Sequence, residues 1–88
     1  MGKTSVTNRI RVLRAEHGDI SQGDLAARIG MTRQTVAAIE KGKYAPSLEA
    51  AFRIAAVFGV PFSDVFQYEA DADAAFLKLQ KQALKKDG

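Results

Sequence analysis

Along residues 20–47, ISQGDLAARIGMTRQTVAAIEKGKYAPS, apolar positions recur at helical spacing, and the recurrence is broken once, at Gly30. Before the break, Leu25, Ala26 and Ile29 form one apolar face; after it, Val36 and Ile39 face the same interior. Ser21 is placed to cap the first of these helices, with Asp24 three residues on where a capping box has Glu or Gln, and Thr32 is placed to cap the second. Gly30 and Gly42 follow the two periodic stretches as terminators. The pattern predicts two short helices separated by a tight turn.

The flanking sequence reads the same way. Ile10, Leu13 and His17 predict a first helix over residues 7–17, closed by Gly18. Pro46-Ser47 opens a helix over 48–58 with a wide apolar face of Leu48, Ala51, Phe52, Ala55 and Phe58, ended by Gly59 and Pro61. A short helix from Ser63 returns Val65 and Phe66 to the core. Nothing alternates with period two over a useful length, so strands are not expected. Residues 1–6 read as a flexible arm and residues 7–68 as one five-helix, all-α domain. Residues 69–88 read as a C-terminal extension, helical from about residue 72 to 86. There Phe76, Leu77, Leu79, Ala83 and Leu84 share one face, with Lys78, Lys81 and Lys85 opposite.

At 88 residues the chain has room for one small core and little for a cofactor-sized cleft. It has no cysteine, which removes disulfides, thiolate metal sites and cysteine nucleophiles and fits a reducing, cytoplasmic setting. No apolar run approaches bilayer length, so no membrane partner is expected. A single histidine, His17, leaves almost no route to a catalytic triad or metal cluster; it suits the C-terminal end of the first helix. Neither a Gly-rich phosphate loop nor a nucleophile beside a base is present, so no enzyme activity, cofactor, metal or small-molecule ligand is expected. The formal net charge of +3 becomes informative through its placement. Between residues 28 and 43, Arg28, Arg33, Lys41 and Lys43 face one acid, Glu40, whereas residues 69–88 balance four acids with four lysines.

A helix broken and restarted within a few residues is the sequence form of a helix-turn-helix, whose second member enters the DNA major groove. Close packing of the pair needs a small residue on the inner face, here Ala26, and a residue tolerant of a left-handed turn, here Gly30. The series Gln22, Leu25-Ala26, Ile29-Gly30-Met31-Thr32-Arg33, Thr35-Val36, Ile39-Glu40 and Gly42 resembles the Cro/C1-type (XRE-like) helix-turn-helix transcriptional regulators. The similarity extends to Asn8-Arg9-Ile10 and Leu13-Arg14 upstream and to Val65-Phe66 downstream, covering residues 7–68. It implies a compact, lambda repressor-like DNA-binding domain, with the extra amphipathic helix appended.

The resemblance also implies roles. Arg33, Gln34 and Ala38 match base-reading positions of a recognition helix over 32–41. Gln22 matches a glutamine that touches phosphate while bracing that helix, and Glu40 matches an acid paired with an arginine of the first helix, here Arg14. The residue chemistry agrees: an arginine fork suits the two acceptors of guanine, glutamine suits adenine, and the Ala38 methyl has only an apolar contact such as thymine to offer. Thr32 and Thr35 at the helix start, and Lys41, Lys43 and Tyr44 past its end, are candidates for backbone phosphates. Arg9 and Arg11 stand between phosphate contact and plain surface charge. Two positions depart from the family pattern: Asp19 is an extra residue in the turn before the second helix, and Gly23 replaces a helix former.

The expected partner is double-stranded operator DNA, read as an inverted repeat by a homodimer acting as a repressor, with the face Phe76, Leu77, Leu79, Ala83 and Leu84 as a candidate dimer surface. The alternative is a protein-binding module that keeps the fold and reads no operator.

Overall fold

Three helices of this chain start where a hydroxyl caps them. A computed structural model describes residues 4–87. In it α1 spans Ile10–Glu16, α2 Gln22–Ile29, α3 Arg33–Glu40, α4 Leu48–Phe58, α5 Phe62–Val65 and α6 Ala74–Asp87. Ser21 Oγ accepts the Asp24 amide at 2.9 Å, Thr32 Oγ1 the Thr35 amide at 3.1 Å, and Ser47 Oγ the Ala50 amide at 3.1 Å. Each bond satisfies one amide that the first helical turn leaves without a partner. The core then takes side chains from every one of α1–α5: Ile10, Leu25, Val36, Ile39, Ile54 and Val65 are all but fully buried. Each such side chain contributes about 1.5–3 kcal/mol of hydrophobic stabilisation.

Four expectations need correction. Strands are present: β1 (Val6–Asn8) pairs antiparallel with β2 (Phe66–Tyr68), Val6 opposite Tyr68 and Asn8 opposite Phe66. Three residues are too few to display an alternating pattern, and the partners lie about sixty positions apart. The ribbon starts inside the segment assigned to an arm, and the Thr4 amide is held by the Gly42 carbonyl at 3.1 Å; residues 1–3 lie outside the described residues. The first helix accordingly begins at Ile10 rather than at residue 7. On α4 the buried stripe is Ala50, Ala51, Ile54, Ala55 and Phe58, while Leu48 and Phe52, expected on that face, are 67% and 54% exposed. They lie on the flank of the stripe, where Phe62 of α5 meets one side of Phe52, at 4.9 Å, and leaves the rest open.

After β2 a single 3₁₀ turn, Ala70–Ala72, leads into α6, two residues later than expected. Asp73 sets the start. Its Oδ1 accepts the Phe76 amide at 3.1 Å and its Oδ2 accepts the Tyr68 hydroxyl at 2.8 Å. Residues 74–84 are exposed throughout, so α6 projects from the domain. The Cα radius of gyration is 15.5 Å, against about 12 Å for a compact chain of this length. None of the described helices is long and apolar enough to cross a membrane.

The Tyr68 hydroxyl, aided by the Phe76 amide, holds the Asp73 carboxyl below its ordinary range. A carboxylate whose folded-state pKa is depressed stabilises the structure above its unfolded pKa, and that contribution is lost as pH falls through the folded value. Acidification is therefore expected to free the start of α6 while α1–α5 stay folded, seen as loss of amide protection at Phe76 and Leu77. Asp73→Ala is expected to show the same loss at neutral pH.

Candidate nucleic-acid interface

The turn between α2 and α3 is three residues, Gly30, Met31 and Thr32. Gly30 is left-handed, with φ 76°, and the Met31 amide bonds the Ala26 carbonyl at 2.9 Å, which stops α2 and reverses the chain. An alanine there would meet no neighbouring atom, so the need for glycine is conformational rather than steric. Ala26 and Val36 are buried where α2 and α3 pack, and Met31 packs half-buried against the same core.

This packing leaves one face of α3 outward. Arg33 and Gln34 are exposed in its first turn, and Ala38 lies half-buried one turn on. The hydroxyls of Thr32 and Thr35 bond each other at 2.9 Å. At the other end the Lys43 amide bonds the Ala38 carbonyl and the Gly42 amide the Ile39 carbonyl, with Gly42 at φ 74°. The chain therefore leaves α3 with Lys41, Lys43 and Tyr44 exposed in succession.

Beneath that face runs a polar chain. Arg14 on α1 grips Glu40 on α3 with two bonds, Nε to Oε2 at 2.7 Å and Nη2 to Oε1 at 3.1 Å. Its Nη1 donates to the Ile20 carbonyl at 3.0 Å, tying the α1–α2 loop into the same cluster. Glu40 Oε1 also accepts Gln22 Nε2 at 3.1 Å, and Gln22 Oε1 in turn accepts Arg33 Nη1 across a long 3.4 Å. The Glu40 hydrogen bonds raise the Arg14 guanidinium further above its already high range, against the opposing effect of burial. Gln22 thus stands between the Arg14–Glu40 ion pair and Arg33, the exposed arginine that opens α3.

A shallow notch of roughly 270 Å³ opens beside this chain, lined by Arg11, Arg14, Gln22, Ala37, Glu40 and Lys41. Arg11 belongs here with Gln22 and Lys41, a grouping that required three helices to be assembled. Arg9 does not: its Nη1 donates to the Asp64 carbonyl on α5 at 3.4 Å. The extra residue Asp19 is accommodated by left-handed backbone, φ 56°, directly after Gly18 at 87°. His17 Nδ1 lies 2.8 Å from the Leu13 carbonyl and its ring packs on Phe58 at 5.2 Å, an anchoring role at the end of α1.

Asn8 is a residue whose role the sequence reading missed. Its Nδ2 donates to the Ile39 carbonyl at 2.9 Å and its Oδ1 accepts the Ile10 amide at 3.1 Å. With the Thr4 bond to Gly42, β1 straps the C-terminal end of α3 to the body of the domain. Phe76, Leu77, Leu79, Ala83 and Leu84 lie on α6, apart from this interface.

A small α-helical domain with a short turn, a braced second helix and a basic exit loop has the layout of a DNA-binding helix-turn-helix. A helix-turn-helix family model matches residues 10–65, and the chain belongs to that family, of the Cro/C1 (XRE) type, whose members are DNA-binding transcriptional regulators. It is similar to an uncharacterized HTH-type transcriptional regulator, MJ0272, of Methanocaldococcus jannaschii, at 53% identity over 64 residues, 73% of this chain and 96% of that protein. The uncharacterized HTH-type regulator YgzD of Bacillus subtilis is 48% identical over 64 residues, with the same two coverages. The cryptic phage CTXphi transcriptional repressor RstR of Vibrio cholerae is 37% identical over 59 residues, 67% of this chain and 52% of that protein.

Proposed function

We propose that this chain is a sequence-specific repressor that works as a homodimer on cytoplasmic DNA, with α3 in the major groove of each half of an inverted repeat. The observation that carries the reading is the exposed pair Arg33 and Gln34 in the first turn of a helix braced from behind by Arg14, Glu40 and Gln22. A base-reading side chain discriminates only if its backbone cannot shift to suit a wrong base, and this chain of bonds supplies that rigidity. Arg33 and Gln34 read base edges, and Ala38 contributes an apolar contact.

Thr32, Thr35, Gln22, Lys41, Lys43 and Tyr44 hold the backbone, with Arg11 joining Gln22 and Lys41 around the notch as a phosphate seat. Repression rests on the likeness to a phage repressor, and a DNA-binding domain suffices to occupy a promoter.

A salt titration of duplex binding tests the reading. Each phosphate contact releases counterions, so log affinity is expected to fall against log salt with a slope near −0.9 per contact. A chain that binds no duplex at low salt, or binds with no salt dependence, is instead a protein-binding module on the same fold.

A further inference from the structure

The side of the domain formed by α4, α5 and the ribbon carries apolar surface that none of the described residues covers. A groove of roughly 280 Å³ runs there, lined by Val6, Pro46, Leu48, Phe62, Phe66 and Tyr68. Phe52 extends it, exposed on one side and stacked on Phe62 at 4.9 Å on the other. The second uncovered surface is α6 itself. Phe76, Leu77 and Leu84 lie on a common stripe with Leu79 at its edge, and Leu84 is 73% exposed. Apolar patches left open on a small domain mark an interaction surface.

We infer that α6 of one copy packs into this groove on a second copy, and that the second copy's α6 returns the contact. This deepens the dimeric half of the proposed function and rests on it. Charge favours the match: α6 carries Lys78, Lys81, Lys85 and Lys86 against Asp87, whereas residues 48–73 carry Glu49, Asp64, Glu69, Asp71 and Asp73 against Arg53. Through their net charges the basic helix and the acidic segment that supplies Leu48, Phe62, Phe66 and Tyr68 of the groove attract one another, whereas two copies joined groove to groove would set acidic segment against acidic segment.

The chain's own α6 is held off. The 3₁₀ turn and the Tyr68–Asp73 hydrogen bond fix its departure, and none of the described side chains of α6 lines the groove. Reciprocity also meets the size requirement. A stable interface buries about 800 Å² per partner, more than one short helix face supplies, and a twofold arrangement engages each copy through both its helix and its groove. None of the groove residues lies on α3, so the reading face stays open in the dimer. The family model ends at residue 65, so α6 is an addition to the matched unit rather than a part of it.

Sedimentation equilibrium of the full chain without DNA tests the inference, so that its failure is distinct from failure of operator binding. The wild type is expected as a dimer. Leu84→Glu on α6 and Leu48→Glu in the groove are each expected to raise the dimer dissociation constant at least about tenfold, or 1.4 kcal/mol. Both sites are exposed in the single chain, so helicity is expected to persist, and Arg33→Ala is expected to remain dimeric. A wild type that is monomeric up to roughly millimolar concentration overturns the inference. So does a dimer indifferent to either glutamate. Because the chain has no cysteine, a mixture of Leu48→Cys chains and Leu84→Cys chains gives a second readout. A short bis-maleimide is expected to join one chain of each kind into a species of twice the mass; a mixture that yields no such mixed species overturns the inference.

Discussion

Glu40→Ala is expected to lower the folding free energy by about 3–5 kcal/mol, because it strands a largely buried guanidinium. The Arg14 and Glu40 side chains are 17% and 8% exposed. The carboxylate is the acceptor for two Arg14 bonds and one from Gln22, so its removal leaves three donors without their partner. A domain of this size has a total stability of about 5–15 kcal/mol, so the loss is a large share of the whole. Urea unfolding checks it, through a fall in midpoint at unchanged slope. Replacing both members by apolar residues, Arg14→Met with Glu40→Leu, is expected to recover most of the loss, because the cost arises from the uncompensated charge. A fall of less than about 0.5 kcal/mol for Glu40→Ala, the range of an ordinary surface change, would show that the pair does not hold α1 to α3.

On a panel of point-mutated operators, Arg33→Ala is expected to abolish discrimination at one base pair, about 1–3 kcal/mol, and to leave the other positions nearly unchanged. Lys43→Ala is expected to do the opposite, weakening all duplexes alike and flattening the salt slope by about one contact. The difference follows from position. Arg33 is at the outward start of α3, supported by Gln22, whereas Lys43 lies beyond the turn at Gly42 that ends the helix. Identical behaviour of the two variants across the panel would refute the division between reading and holding.

Helix ends were legible in the sequence because their signals are local. Ser21, Thr32 and Ser47 cap the helices they precede, and Gly30 and Gly59 adopt the left-handed conformation that their place after an apolar repeat implies. What depends on distant contacts was not legible. The β1–β2 ribbon joins two three-residue segments from opposite ends of the domain, and Asn8 reaches the end of α3 through it.

The exposure of Leu48 and Phe52 was hidden because a helical repeat shows which residues share a face but not how far the neighbouring helices extend across it. The partnership of Arg14 with Glu40 came from family resemblance; their separation in sequence carries no such information. Arg11 and Arg9 are alike in sequence, and only the packing of α1 against α2 and α3 on one side and α5 on the other sends them to different surfaces.

The bonds from β1 to Ile39 and Gly42 also bear on function. They join the end of α3 to the ribbon, from which a 3₁₀ turn leads into α6, so the spacing of two recognition helices in a dimer would be set through hydrogen-bonded elements. Selection of bound duplexes from a randomised pool at moderate salt, followed by sequencing, measures this directly. An enriched inverted repeat is expected, with half-site centres about 10–10.5 base pairs apart or a multiple of that. A folded chain that enriches no sequence would contradict operator reading by α3.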